Sequence, residues 1–187
     1  LMVALGSPNY AAPSYAQCKG ARDVGYSLTF GEALPSPEPL DLENARAVVL
    51  FGSHLGENAH NSQVQELVRA LKRGADLVVL DPRYSTVADK ARVWLPLRPG
   101  SDLAVILAWI HLLLRDGTWD REFVSRHCTG IEELRAHVRE TTPAWAAREA
   151  GVDEGSILRA YLILVKARPA VVVHPGRHVS WYGEADT

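Results

Sequence analysis

Leu77-Val78-Val79-Leu80-Asp81-Pro82-Arg83 is a short apolar run that stops on a carboxylate, a proline and a guanidinium. Upstream, Ala47-Val48-Val49-Leu50-Phe51-Gly52-Ser53-His54 is built the same way, apolar first and then small or polar. Continuous apolar runs, as opposed to alternating ones, belong to strands covered on both faces. Between the two, Gln63 to Arg73 carries Val64, Leu67, Val68 and Leu71 on one stripe, and Gly74 stops it. Strand, amphipathic helix, strand at this spacing predicts a right-handed crossover with parallel strands. The fold class is therefore α/β: a Rossmann-like open parallel sheet with flanking helices.

The same reading extends in both directions. Val93 to Leu95 is a third, short strand, and Asp102 to Arg115 is a long helix whose cap is expected to be Ser101. Helices are expected over Asp120 to His127, Ile131 to Thr141, Pro143 to Ala150 and Glu154 to Ala167, with Pro143 suited to a first turn. Ala170 to His174 is a final apolar strand. Residues 1–45 are irregular and rich in proline; Pro35-Ser36-Pro37-Glu38-Pro39 is an extended connector, Ala16 to Tyr26 has room for one short helix, and Asp41 to Asn44 makes a turn. We divide the chain into this segment and a Rossmann-like domain over 46–187.

Bulk properties narrow the function classes. At 187 residues and 47% hydrophobic, the chain can bury a real core, and a net charge of −2 gives it no general attraction to nucleic acid or anionic membrane. Leu103 to Leu114 is too short for a membrane span and contains His111, and the first residues lack the pattern of an export leader. Cys18 and Cys128 are the only cysteines; neither belongs to a Cys-x-x-Cys motif, and no pair of histidines has metal-ligand spacing.

In an open parallel sheet, ligands bind at the carboxyl ends of the strands, and here those ends carry the unusual residues. Gly52, Ser53 and His54 let backbone N–H groups approach phosphate oxygens, or they form an ordinary turn. Asp81 suits a ribose hydroxyl or a turn cap, and Arg83 suits a phosphate or a base face. Behind Pro99, Gly100 and Asp102 put a carboxylate at a helix start, where it can cap the helix or accept two hydrogen bonds from a guanine edge. Cys18 lies beside Lys19 and near Arg22, cations that favour a thiolate; the bland alternative is an inert core thiol. Cys128 is assigned to packing. After the last strand, Arg177 suits an anion and His178 can shuttle protons near neutral pH, unless both are incidental charges on a turn.

In this order, Ser14-Tyr15-Ala16-Gln17-Cys18, Asp41-Leu42-Glu43, Gly52-Ser53, Asp81-Pro82-Arg83, Leu95 to Asp102 and Thr129-Gly130 resemble the molybdopterin oxidoreductases of the dimethyl-sulfoxide-reductase superfamily. Within it, Ser14 to Tyr26 and Gly176 to Gly183 look most like the catalytic subunit of polysulfide and thiosulfate reductases, with arsenate and tetrathionate reductases as near relatives. The resemblance implies that Cys18 ligates molybdenum (or tungsten) held by bis(molybdopterin guanine dinucleotide). It implies that Gly52, Ser53, Asp81, Arg83, Gly100 and Asp102 hold one dinucleotide tail, with His54 beside them able to donate to a phosphate or pterin. His54 stands where many members have asparagine. Arg177 matches a residue on the substrate side, and His178 or nearby water would supply protons.

The implied reaction is reduction of a small anionic sulfur compound in anaerobic respiration. The implied setting is a larger multidomain subunit of which this chain is a fragment, with a four-iron four-sulfur cluster upstream. An iron-sulfur electron-transfer subunit and a membrane anchor subunit would be its partners at the periplasmic face of the membrane. Two other classes fit the residues alone. A nicotinamide-dependent dehydrogenase is disfavoured because no Gly-x-Gly-x-x-Gly follows a strand; a non-catalytic nucleotide-binding domain would need no reactive Cys18.

Overall fold

In the computed structural model, the structure describes residues 4–6, 20–31, 40–53, 55–56 and 61–176. Its centre is a four-stranded, all-parallel sheet of β1 (Ala47–Phe51), β2 (Asp76–Leu80), β3 (Val93–Leu95) and β4 (Val171–Pro175), in the order β3-β2-β1-β4. The expected α/β architecture is what the chain adopts.

Seven helices accompany the strands among the described residues: α1 (Ala21–Phe30), α2 (Asn61–Lys72), α3 (Asp102–Asp116), α4 (Arg121–His127), α5 (Ile131–His137), α6 (Pro143–Ala150) and α7 (Glu154–Ala167). Alternation along the strands splits the core in two. Ala47, Val49 and Phe51 of β1, with Val78, Leu80, Val93 and Leu95, face α3, α6 and α7. Val48, Leu50, Leu77 and Val79 face the other way, against Leu67 of α2 and against Leu42, Leu55 and Val87. A sheet covered on both faces is the reason its strands read as unbroken apolar runs.

Several boundaries follow from local chemistry. α6 and α7 start where Thr142 and Asp153 accept from the amides of Trp145 (3.2 Å) and Ser156 (2.8 Å). α2 stops at Gly74, whose φ of +93° suits a left-handed helix exit. Asp41 makes its turn by accepting from the amide and side chain of Asn44.

Other expectations need correcting. Ser101 sits at the head of α3 but caps nothing; its hydroxyl donates instead to the Arg98 carbonyl at 2.6 Å. α5 ends at His137 and not at Thr141, because the buried Val138 turns inward and its carbonyl accepts from His111 Nδ1 and the Thr141 hydroxyl, both at 2.9 Å. α1 runs four residues beyond the expected Tyr26, to Phe30. Cys128 does not pack: it is exposed at the end of α4, a helix with no buried residue. A single 3-10 turn at Ala88–Lys90 was not expected at all.

Candidate functional site

The chain runs outward from β1 through β2 to β3, then returns to lay β4 on the far side of β1. Adjacent strands whose connections diverge in this way leave a crevice at their carboxyl ends. Gly52 and Ser53 follow β1, and Asp81 and Arg83 follow β2. Gly100 and Asp102 lie on the connection from β3 into α3, and Gly176 follows β4. The topology thus gathers these residues along one edge of the sheet.

Asp81 is the most informative of them. Its backbone is fully anchored: the amide donates to Leu95 O at 3.2 Å, and the carbonyl accepts from Trp94 Nε1 at 2.9 Å. Its Oδ1 accepts from the Arg83 amide at 2.8 Å. Only 3% of the residue is exposed, yet Oδ2 is buried with no hydrogen-bond partner among the described residues. Leaving such an acceptor unmatched costs about 1–3 kcal/mol in general, and such groups concentrate where a ligand completes the bonding. Next to it, Gly52 holds a φ of +52° and donates its amide to Leu80 O at 2.9 Å, and Ser53 is 5% exposed.

At the third strand end, Leu97 is buried while Pro96, Arg98 and Pro99 are exposed. This loop is tied down from outside: the Arg98 amide donates to Ala150 O at 2.9 Å, and its guanidinium reaches the Arg148 carbonyl at 3.2 Å. Gly100 turns the chain with φ of +80°. Asp102 then enters the first turn of α3 at 6% exposure, a carboxylate where the helix end is positive.

Sequence reasoning missed two groups here. Trp94 anchors the Asp81 carbonyl and meets the Tyr84 ring edge-on at 4.8 Å. Beside Arg83, the exposed Tyr84 hydroxyl donates to Asp89 Oδ1 at 3.0 Å, and Lys90 meets Asp89 Oδ2 at 2.6 Å. The lysine contact, then the tyrosine one, holds the Asp89 carboxyl below the usual range, while the shared Asp89 raises both Tyr84 and Lys90. The other group is Gly176, which presses against the backbone of Phe51 and Gly52. Trp94 and Gly176 carry no local signal because their contacts are made across neighbouring strands, and the Tyr84, Asp89 and Lys90 cluster reads in sequence as ordinary surface residues.

Cys18, His54, Arg177 and His178 lie outside the described residues. Among the described residues no three His, Cys, Asp or Glu side chains group to hold a metal, and no helix is long and apolar enough to cross a membrane.

Known proteins resemble the chain in both sequence and fold. The family model for molybdopterin oxidoreductase matches residues 1–173. The chain is 35% identical over 184 residues to the molybdopterin-containing subunit of thiosulfate reductase from Salmonella typhimurium, covering 98% of this chain and 24% of that protein. It is also 35% identical over 168 residues to acetylene hydratase of Syntrophotalea acetylenica, covering 90% of this chain and 22% of that one. The arsenate respiratory reductase subunit of Chrysiogenes arsenatis is 28% identical, covering 96% of this chain and 23% of that protein. Among solved structures, acetylene hydratase from Pelobacter acetylenicus superposes with a TM-score of 0.83 at 32% identity, over 96% of this chain and 24% of that one. The chain thus spans about a quarter of the length of the relatives it matches.

Proposed function

The chain belongs to the molybdopterin oxidoreductase family, and on that premise we propose that its sheet edge grips the guanine dinucleotide tail of a molybdenum or tungsten pterin cofactor. The observation that carries this reading is the buried Oδ2 of Asp81, unmatched among the described residues. A ribose hydroxyl is the donor such an oxygen lacks. Gly52 and Ser53 put small residues at the end of β1, where a phosphate can approach the Ser53 amide closely, and Asp102 supplies a carboxylate, the group that pairs with a guanine edge. His54, Arg83 and Gly100 complete the set. The second tail of a paired cofactor would be held elsewhere in the protein.

When bound, the cofactor supplies a sulfur-ligated metal able to exchange electron pairs with substrate. The chain's own contribution is narrower. Cys18, flanked by Lys19, would give one thiolate to the metal, and Arg177 would hold the substrate's negative charge in place. His178 would release a proton from its imidazole toward the departing sulfur.

The substrate we favour is thiosulfate or a polysulfide, reduced at its sulfur-sulfur bond. Support comes from the Ser14 to Tyr26 and Gly176 to Gly183 segments and from the thiosulfate reductase likeness. Arsenate is the nearest alternative. Acetylene is disfavoured despite the equal identity, because a neutral alkyne gives a guanidinium at position 177 nothing to grip. A four-iron four-sulfur cluster, an iron-sulfur partner subunit, a membrane anchor and a periplasmic site belong to the same proposal.

The test is turnover by the full-length protein supplied in turn with thiosulfate, polysulfide, arsenate and acetylene. Release of sulfide from a sulfur substrate is expected, with Arg177→Ala raising KM about tenfold to a hundredfold through loss of a charge-assisted contact. Turnover of arsenate or acetylene alone would refute the substrate assignment.

A further inference from the structure

We propose that Gly176 is a positioning residue for the phosphate-facing turn at Gly52 and Ser53, a role that rests on the nucleotide reading above. β4 lies beside β1 with Pro175 opposite Phe51, so Gly176 falls against the first peptides beyond β1. A Cβ at Gly176 would overlap the Phe51 carbonyl oxygen and stand 2.8 Å from both the carbonyl carbon and the carbonyl oxygen of Gly52. These neighbours are all main chain, and main chain cannot swing aside as the tip of a flexible side chain can. Gly176 is itself buried.

The contacts fall on two successive peptide planes, and the second of them carries the amide that matters. The Gly52 carbonyl and the Ser53 N–H belong to the same rigid unit, so whatever pushes the first rotates the second. Upstream of that plane nothing can yield easily. Phe51 is 3% exposed and pairs with Leu80 on one side and Pro175 on the other, and the Gly52 amide is held by Leu80 O at 2.9 Å. The overlap with the Phe51 carbonyl is therefore relieved only if the end of β4 swings outward from β1, while the lesser contacts at Gly52 also press the Gly52–Ser53 plane to turn. Both movements alter the gap in which a phosphate would meet the Ser53 amide. The bare Cα of Gly176 sets that gap.

The experiment uses the full-length protein freed of cofactor, with GDP as the probe in a calorimetric titration. Gly176→Ala is expected to weaken GDP binding by about tenfold or more, the loss of an aligned charge-assisted hydrogen bond. Val171→Ala trims β4 at its opposite end, where it pairs with Ala47, and serves as the control. It should lower Tm yet leave the affinity within about twofold. Unchanged affinity in Gly176→Ala, or an equal loss in Val171→Ala, overturns the role. Should Gly176→Ala fail to fold, hydrogen exchange on the unaltered protein decides: GDP is expected to slow exchange at Ser53 and Gly176 together, and protection at Ser53 alone overturns the proposal. Absence of GDP binding by the unaltered protein removes the nucleotide reading itself, and this role with it.

Discussion

Asp81 and Asp102 are both buried carboxylates, and at Asp81 the demands of stability and of binding have opposite signs. In Asp81→Asn the Oδ1 bond from the Arg83 amide can persist, while the unmatched charged oxygen is replaced by a neutral amide. The cofactor-free variant should be at least as stable as its parent by thermal unfolding, yet bind GDP about tenfold or more weakly. Higher stability bought with lost binding is the signature of a residue kept for its ligand. Asp102→Asn trades one acceptor for a donor against the guanine edge. GDP affinity should fall by about tenfold to a hundredfold, while ADP, which never used that pair, is little affected. Equal losses for both nucleotides would contradict a guanine-reading role. The residue types at these positions were legible from the sequence, because charged and small residues at strand ends are conspicuous. The unmatched oxygen was not, since only the packed structure shows which lone pairs remain unfilled.

Elements tell a similar story about local and distant control. α6 and α7 run over the residues expected from sequence, because Thr142 and Asp153 are strong caps in their own right. Thr142→Ala should cost about 1 kcal/mol, lowering Tm by roughly 2–4 °C for a domain of this size. α3 keeps its expected span but loses its expected cap to a local bond, the Ser101 hydroxyl donating to the Arg98 carbonyl, whereas α5 ends early partly for a tertiary reason, the distant His111 joining Thr141 at the Val138 carbonyl. At the far end of α3, the Arg115 guanidinium at 2.6 Å, and then the Tyr161 hydroxyl at 3.0 Å, hold the Asp116 carboxyl below the usual range. Burial raises Tyr161 above the usual phenol range. The signs are opposite in pH. Asp116 stabilises the fold above the ordinary carboxylate pKa and loses that contribution as pH falls. Tyr161 stabilises it below the ordinary phenol pKa, near 10, and loses that contribution as pH rises. Urea unfolding across pH should therefore show a shallower acid limb in Asp116→Asn and a shallower alkaline limb in Tyr161→Phe.

For the whole molecule, parallel strands and helices on both faces follow from the unbroken apolar runs and their spacing. Strand order does not, because nothing local tells β4 to return beside β1 instead of extending the sheet past β3. That return creates the crevice, brings Gly176 against Gly52, and places Gly52, Asp81 and the head of α3 along one edge. The central claim is that this edge holds a guanine nucleotide belonging to a metal-pterin cofactor. Acid hydrolysis of the purified full-length protein, with the released nucleotide identified and the metal quantified in one sample, tests it most directly. GMP accompanying molybdenum or tungsten, at about two per metal for a paired cofactor, is the expected result. Metal with no nucleotide, or with adenylate or cytidylate in place of guanylate, would contradict it.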